Sequence, residues 1–522
     1  MSAFVVELAR GDGPVRATGV ADARSADWIV GHVRLDGREA LRDALGAAGV
    51  ATPRTASDLD LVLFAWRAWR ETSTERLRGD FSFAIWDSKQ RVLFCARDPL
   101  GVRPLYWARS GITFVCSNEL EALRAHASVS SRLHWPAIES FLRVGYNDDL
   151  ATTSFADIRR LPPAHQLVIG AEAGAIVPRR YWDFPVPEPL RLSRDEEYIE
   201  RFREVLGEAV RDRLREDRAA ILLSGGLDST SIAATAHRVA PGVSLHAWTH
   251  DMSPFAPDDE VALATGVAAR LNMPIDIVRD DLDPLAQLDS PRFHTPEPLE
   301  EPEWIPWIRL LRRIESDAPV LIIGDDGDAL FRPPGLITML RAWPAADVFR
   351  RVLAYTLSHR RRPHLGLRAR RITGAAAHPV RPEAVRQLSN PVWQSVLEPS
   401  QRAYTGVALD IVWPLLDTRV IEFVFSIPPV PWCQKKELLR RAFKDELTDA
   451  IVTRRKAPLR GFCEAQVAQW RADKRSSLIV LSDRVREFVD STRTLDTLRR
   501  GSTECALAMW RVLILDQWLQ GV

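Results

Sequence analysis

The clearest chemical signal in the chain is the string SGGLDST at residues 224–230. It follows the apolar run 219–223 and precedes an Ala-rich helical run, so its two glycines fall at a strand-to-helix turn. Such a turn points free backbone N–H groups at a ligand, and the helix N-terminus and the hydroxyls add to the attraction for phosphate. Asp228 fits beside a phosphate if it holds Mg²⁺. The string predicts a phosphate-binding loop; the alternative is a tight turn in which Asp228 and Ser229 cap the helix.

Around this loop, strand-like and helical patterns alternate along the chain. Alternation of this kind predicts a parallel sheet whose ligand loops lie at the carboxyl ends of its strands. From about residue 335 onward the pattern is mainly helical. The strand-like runs are residues 219–223, 243–249, 274–278 and 319–323.

The first part of the chain reads differently. Residues 1–183 contain short strand-like runs, such as FSFAIWD, RVLFCARD and LYWARSGITFVCS, that are separated by turns. Residues 184–194 follow with three prolines, which is typical of a linker. We therefore predict a β-rich domain over 1–183, a linker over 184–194 and a second domain over 195–522.

Composition narrows the class of protein. Hydrophobic residues make up 46% and charged residues 27% of the 522 residues, as in soluble proteins with more than one domain. The net charge of +1 argues against a nucleic-acid or membrane partner bound by overall charge. We expect no signal peptide and no membrane span. The five scattered cysteines lack a CxxC pair, so we expect reduced thiols in a cytoplasmic protein, without a disulfide framework or zinc site.

Motifs in order along nearly the whole chain resemble the asparagine synthetase B-type family. The stretch 77–123, which begins LRGDFSFAIWD, is similar to the family's glutamine amidotransferase domain. The SGGLDST string resembles the pyrophosphate loop of N-type ATP pyrophosphatases. Further matches to the synthetase domain are GDDGDALF at 324–331, WPLLDTRVIEFVFSIPP at 413–429, KKELLRRAF at 435–443 and RRKAPLRGF at 454–462.

The resemblance implies a fold and a reaction class. The expected fold is α/β: an Ntn-hydrolase-like, glutamine amidotransferase-like β-rich sandwich, followed by an adenine-nucleotide α-hydrolase-like synthetase domain. That second domain would have a parallel sheet and a helical C-terminal part. The expected reaction is an ATP-dependent amide synthesis through an acyl-adenylate, which releases pyrophosphate and then AMP.

The resemblance also assigns residues to ATP and Mg²⁺. Leu222 and Thr249 would lie near adenine, and Asp228 and Asp328 would hold the metal, which offsets the repulsion between the two carboxylates and the triphosphate. A helix cap is the alternative for the loop that carries Asp328. The residues expected to contact the nucleotide are Leu222, Ser224, Gly225, Gly226, Asp228, Ser229, Thr249, Gly324 and Lys436.

Three residues are candidates for the chemical step. Lys456 matches the lysine that stabilises the charged intermediate as the amine attacks, and an ammonium suits such a developing charge. Asp325 stands where asparagine synthetases have Glu and β-lactam-forming relatives have Tyr, so it could orient the substrate. Glu398 stands at the distance of a general-base partner in the β-lactam-forming relatives; the alternative is an exposed helix glutamate. For both Lys436 and Lys456 the alternative is a solvated helix lysine.

The amidotransferase-like half lacks two features of glutamine-hydrolysing members. Ser2 stands where they have a cysteine nucleophile, and VGHVRLDGREAL at 30–41 replaces their Asn-Gly-Glu segment. Serine can be a nucleophile in related hydrolase folds, but we expect an inactive domain that serves as a scaffold. The amine would then arrive on the substrate and not as ammonia released from glutamine.

Among relatives without a working glutaminase, the chain looks most similar to lasso-peptide cyclases. Those enzymes activate an Asp or Glu side chain of a leader-freed peptide, and the N-terminal amine of that peptide closes a macrolactam. A leader-binding protein and a leader peptidase are the expected partners. The basic run 359–371 is either a solvated loop or a surface that docks a peptide or a partner protein. Alternatives are a β-lactam or carbapenam synthetase, an ammonia-using asparagine synthetase, a tRNA-modifying ATP pyrophosphatase and a non-catalytic binding homologue.

Overall fold

The structure is a computed structural model of the 522-residue chain. It describes residues 3–9, 15–18, 27–170, 176–251, 259–279, 295–300, 304–359, 363, 378–454, 468, 471–472 and 479–522. Ser2, Lys456 and most of the basic run 359–371 lie outside these residues, so the predictions made for them stay predictions.

Two antiparallel sheets form the first domain. One has the strand order β2-β1-β7-β6-β8 and the other β10-β9-β5-β4-β3. The strands are β1 Val5–Ala9, β2 Val15–Ala17, β3 Trp28–Leu35, β4 Gly79–Asp87, β5 Val92–Arg97, β6 Tyr106–Ser110, β7 Thr113–Ser117, β8 Ile158–Arg160, β9 His165–Gly170 and β10 Arg179–Arg180.

Alternation along the strands explains why these sheets pack as a sandwich. On β4, Ala84 and Trp86 belong to the core between the two sheets, whereas Phe81, Phe83 and Ile85 belong to the core under the helices α1 and α2. The helices of this part of the chain are α1 Arg38–Ala47, α2 Asp58–Trp69, α3 Leu120–Arg124 and α4 Trp135–Val144. The β-rich sandwich expected from the sequence is confirmed.

The second domain is built on a parallel sheet with the strand order β13-β12-β11-β14-β15. Its strands are β11 Arg218–Leu222, β12 Ser244–His250, β13 Ile275–Val278, β14 Val320–Ile323 and β15 Asp410–Val412. Four of them match the strand-like runs in the sequence. The fifth, β15, was missed because it is a three-residue strand inside the part predicted to be mainly helical.

Helices cover this sheet and continue past it. They are α5 Asp195–Arg213, α6 Leu227–Val239, α7 Glu260–Arg270, α8 Trp304–Asp317, α9 Gly327–Leu330, α10 Leu336–Ala342, α11 Ala345–His359, α12 Pro382–Leu388, α13 Gln394–Leu397, α14 Arg402–Thr405, α15 Thr418–Ser426, α16 Pro429–Trp432, α17 Glu437–Ala442, α18 Asp449–Thr453, α19 Asp483–Arg486, α20 Ser491–Arg500 and α21 Thr503–Gly521.

The two domains share buried contacts at the C-terminus. Helix α21 places Trp510, Leu513 and Leu515 in one core with Ile138 of α4 and Ile158 of β8. The apolar C-terminal run is therefore a core helix. Among the described residues, no helix is both long and apolar enough to cross a membrane. Cys95, Cys116 and Cys433 are buried free thiols.

Candidate active site

The SGGLDST string forms the connection from β11 to α6. Leu222 ends the strand and Leu227 begins the helix. Gly225 has φ +64°, and a Cβ added there would lie 2.7 Å from the carbonyl oxygen of Glu260, so both conformation and space favour glycine. The expected strand-to-helix turn is therefore present, with its glycines where the backbone is most confined.

Hydroxyl groups brace this loop from inside. The Ser229 hydroxyl accepts a hydrogen bond from the backbone N–H of Ser224 at 3.2 Å, and the two serine hydroxyls lie 3.1 Å apart. The Thr230 hydroxyl donates to the Gly226 carbonyl at 2.7 Å. These contacts fix the loop, so its free groups need little rearrangement to meet a phosphate.

A second loop, which connects β14 to α9, packs directly on the first. A Cβ added to Gly324 would lie 2.4 Å from the Cα of Ser229, and one added to Gly327 would lie 2.4 Å from Oδ1 of Asp228. Neither position has room for a side chain. The glycines of this loop therefore bring its backbone, and the carboxylates it carries, against the phosphate-loop helix.

Lys436 joins the carboxylates of the two loops. Its Nζ lies 2.5 Å from Oδ2 of Asp228 and 2.7 Å from Oδ1 of Asp328. The side chain of Lys436 is 15% exposed, and that of Asp328 is 50% exposed. The structure thus brings together three residues, separated widely in sequence, that the resemblance had assigned to metal and phosphate. Lys436 is not the solvated helix lysine of the alternative interpretation.

The arrangement of Asp228 and Asp328 suits a divalent cation that is bound together with phosphates. One ammonium contacts oxygens of both carboxylates, so these oxygens are close enough to face one cation. The described residues contain no group of three or more His, Cys, Asp or Glu side chains that could hold a metal. Mg²⁺ commonly uses only one or two carboxylates and takes its other ligands from phosphates and water. Asp228 and Asp328 would therefore hold Mg²⁺.

Asp326 is a residue of this loop to which sequence analysis gave no role. It is 6% exposed, has φ +79°, and neither of its carboxylate oxygens has a hydrogen-bond partner among the described residues. Burial, followed by the nearby carboxylates of Asp325 and Asp228, raises the pKa of Asp326 well above its usual range. Three carboxyl groups thus crowd the end of β14. The sequence did carry a signal for Asp326, because an aspartate stands there in a strand-to-helix turn where a glycine would be the ordinary choice.

Arg454 is a second residue that sequence analysis missed. Its Nη1 donates to the carbonyl oxygen of Gly225 at 2.9 Å, and its Nη2 lies 3.6 Å from Oε1 of Glu260. This guanidinium therefore holds the phosphate loop from the side of the RRK segment, two positions before Lys456. Arg454 is the first residue of the RRK motif, but the resemblance assigned a role only to the lysine of that motif.

The residues expected near adenine lie at the carboxyl edge of the sheet. Leu222 of β11 is paired with Trp248 of β12, and Thr249 is the next residue along β12. Thr249 is buried, and the backbone N–H of Leu223 donates to the Trp248 carbonyl at 2.8 Å. Both expected residues thus border the strand ends from which the phosphate loop begins.

Glu398 has surroundings that neither sequence interpretation anticipated. It is 1% exposed, so the exposed helix glutamate is wrong. Its carboxylate lies 3.1 Å from Arg97 and from Arg160, and accepts a hydrogen bond from the hydroxyl of Tyr106 at 3.0 Å. These three partners belong to the first domain. The general-base role stays a prediction, and these contacts could not be predicted because a spacing between motifs does not reveal which domain a side chain faces.

Charged residues also occupy the segment that replaces Asn-Gly-Glu. Arg34 pairs with Asp36 and, at 2.7 Å, with Asp80. Asp36 in turn lies 3.1 Å from Arg213 of α5, which pairs with Asp417 at 2.8 Å. All five side chains are buried. This part of the first domain is therefore used to bind the second domain through a chain of ion pairs.

Two family models match the chain. The model described as asparagine synthase matches residues 201–520, which is more than half of the chain. The chain belongs to the asparagine synthase family. A second model, described as glutamine amidotransferase domain, matches residues 31–182. These matches confirm the amidotransferase-like and synthetase-like fold, and they identify the chain as an ATP-dependent amide ligase in the general sense of that family.

Named relatives are similar at a modest level of identity. Asparagine synthetase [glutamine-hydrolyzing] 3 of Bacillus subtilis is 27% identical over 493 residues, which cover 87% of this chain and 78% of the relative. A putative asparagine synthetase of Mycobacterium bovis is 29% identical over 63% of this chain and half of the relative's own length. Amidase chry2 of Gibberella zeae is 26% identical over 55% of this chain and 46% of the relative.

Proposed function

We propose that the chain is an AMP-forming ligase that makes an amide within a single peptide, as a macrolactam cyclase of the lasso-peptide type. A side-chain carboxylate of the peptide attacks the α-phosphorus of ATP, and pyrophosphate leaves. The N-terminal amine of the same peptide then attacks the acyl carbon, loses a proton, and displaces AMP. A bound Mg²⁺ would neutralise phosphate charge in the first step.

One observation carries this proposal: Lys436 contacts both Asp228 and Asp328, at the point where the two glycine loops pack together. A cation-binding pair of carboxylates beside a phosphate loop suits a metal-bound triphosphate. Lys436 would contact the phosphates of such a nucleotide, and Lys456 is assigned to the second step by motif alone. Positioned cations of this kind stabilise charge that develops in the transition state.

The choice of an intramolecular amine rests on the first domain. Where relatives have Asn-Gly-Glu, this chain has Arg34 and Asp36 in a buried network with Arg213 of the second domain. Such a network supports a scaffold better than a glutamine-binding site. We therefore propose that the amine belongs to the peptide, and that a leader-binding protein and a leader peptidase supply the peptide.

The direct test uses purified protein, ATP, Mg²⁺ and a synthetic core peptide that has one acidic residue in its first ten or so positions. The expected products are AMP, pyrophosphate and a peptide lighter by one water. An N-acetylated peptide is the matched control, because it retains the carboxylate but lacks the attacking amine. It should support exchange of labelled pyrophosphate into ATP without loss of water.

The names of the relatives, both asparagine synthetases described as glutamine-hydrolyzing, favour a second candidate, an asparagine synthetase. Because Ser2 stands where glutamine-hydrolysing members have a cysteine, this candidate would use ammonia. Free aspartate with ammonium replaces the peptide in a parallel reaction. Formation of asparagine and AMP, with no change in any peptide, would replace our proposal with this one. Stimulation by tRNA would instead point to a nucleic-acid-modifying pyrophosphatase.

A further inference from the structure

Two segments that bear lysines come close together beside the phosphate loop. One is the short helical turn Gln434–Lys436, which presents Lys436 to the two aspartates. The other is the end of α18, which leads through Arg454 to Lys456 two positions later. Both segments contact the phosphate loop and its helix: Lys436 pairs with Asp228, and Arg454 donates to the carbonyl oxygen of Gly225.

The turn that presents Lys436 has an uncommon backbone. Lys435 has φ +50° and Lys436 has φ +59°, so two consecutive non-glycine residues are left-handed. L-residues other than Asn and Asp seldom adopt this conformation, and it persists where surrounding contacts hold it. A contact that fixes this turn therefore also fixes the ammonium of Lys436.

Arg440 makes that contact and also reaches the other segment. Its Nε donates to the carbonyl oxygen of Lys435 at 2.9 Å, and its Nη2 donates to the carbonyl oxygen of Arg454 at 2.8 Å. Its Nη1 donates to the carbonyl oxygen of Val452. All three guanidinium nitrogens are thus used, and each binds backbone, so the contacts do not depend on the side chains of their partners.

We propose that Arg440 is a positioning residue that fixes the turn of Lys436 to the end of α18 and Arg454, and so holds Lys436 and Arg454 in place at the phosphate loop. This inference rests on the proposed function for its effect on the reaction. The planar guanidinium has donors in a fixed fork and can bind several carbonyls at once, whereas a lysine ammonium is a single point donor. Arg440 is therefore not replaceable by lysine.

Arg441 offers a matched control in the next position of the same helix. Its Nε lies 2.8 Å from Glu437 and its Nη1 lies 2.8 Å from Asp195. Its guanidinium also lies over the ring of Trp432. These contacts lie on α5, on α16 and on Glu437 of the same helix, and none is to the carbonyl groups that Arg440 binds. R441Q therefore removes an arginine from α17 and leaves the three contacts of Arg440 in place.

The first measurement needs no reaction. Hydrogen–deuterium exchange of the full chain should be faster in R440Q than in wild type at 434–436 and 452–454, and unchanged at both segments in R441Q. Equal protection in R440Q and wild type would overturn the proposal. Because this readout is independent of turnover, it stands even if the proposed ligase reaction fails, and the two failures remain distinguishable.

Kinetics then test the consequence for catalysis. R440Q should lower kcat for AMP formation about 10- to 100-fold and change KM for ATP less than about threefold, because displacement of reacting groups acts mainly on the chemical step. R440K should resemble R440Q, and methylguanidine should partly restore kcat in R440A. In a K436Q background, R440Q should cost less than in wild type. An equal cost in both backgrounds, or full activity of R440K, would contradict a positioning role.

Discussion

Two of the clusters in which carboxylates meet cations differ in how completely their charges are matched. Between the domains, Glu398 is almost fully buried and contacts Arg97, Arg160 and Tyr106. At the glycine loops, Lys436 faces Asp228 and Asp328. The side chain of Asp328 is half exposed. The first cluster is closed and the second opens to solvent.

This difference separates a structural from a functional use of the same chemistry. The closed cluster satisfies its charges internally, because Arg160 also pairs with the buried Glu297, so that two carboxylates meet two guanidinium groups. Breaking it leaves buried guanidinium groups without their partner. At the loops, acidic groups accumulate: Asp325 and the buried Asp326 lie on the same loop as Asp328. An open site with excess negative charge is suited to an added cation. Substitutions in the closed cluster should therefore affect stability, and those in the open cluster should affect activity.

The largest effect should come from the closed cluster, on stability. E398Q removes the carboxylate charge between Arg97 and Arg160, and we expect a loss of about 3–5 kcal/mol in the free energy of unfolding. Chemical denaturation measures this. The matched control is E204Q, which breaks an exposed pair with Arg201 and should cost less than about 1 kcal/mol. If E398Q instead keeps its stability but loses AMP formation, Glu398 acts as the general base and the comparison fails.

The next effect should come from the open cluster, on activity. K436Q removes the ammonium shared by Asp228 and Asp328, and we expect kcat/KM for AMP formation to fall about 100- to 1,000-fold. The fold should be unchanged by circular dichroism. K435Q is the matched control, because Lys435 precedes it, has the same left-handed backbone and is exposed. Similar losses in both variants would show that the turn matters more than the ammonium.

A smaller effect is expected on the metal requirement. D328N keeps the shape of the side chain but removes one of two carboxylates, so the Mg²⁺ concentration for half-maximal activity should rise about tenfold. Saturating Mg²⁺ should recover most of the activity. Titration of AMP formation against Mg²⁺ measures both quantities. An unchanged requirement would mean that Asp328 is not a metal ligand, whatever its contact with Lys436.

The smallest effect concerns Asp326 and depends on pH. Its raised pKa means that the folded protein binds a proton more readily than the unfolded chain. The stability linked to this group is therefore present below about pH 4 and is lost as pH rises through the raised folded value. D326N cannot ionise, so it should match wild type near pH 4 and exceed it by about 1–3 kcal/mol at pH 8. A difference that does not vary with pH would contradict the assignment.

Local sequence patterns predicted four of the five described strands of the second domain, but not which groups the charged side chains contact. The strand-like runs 219–223 and 319–323 match β11 and β14 to within a residue, because alternating elements and glycine turns are local signals. Strand β15 has three residues, too few to show a period, and its place in the sheet depends on hydrogen bonds to β14. Side chains are subject to the same limit, because contacts between distant residues leave no local pattern. Glu398 is buried against arginines about 240 and 300 positions away.

The sequence by itself determined the chemistry available to this protein: a glycine loop for phosphate, carboxylates for a cation and lysines for developing charge, in an order typical of the asparagine synthase family. Only the tertiary structure decided which of these groups meet. Residues 228, 328 and 436 share one cleft because two parallel strands end side by side and their glycines let the loops touch. Contacts between distant segments arise from packing, and a one-dimensional pattern of residue types does not specify them.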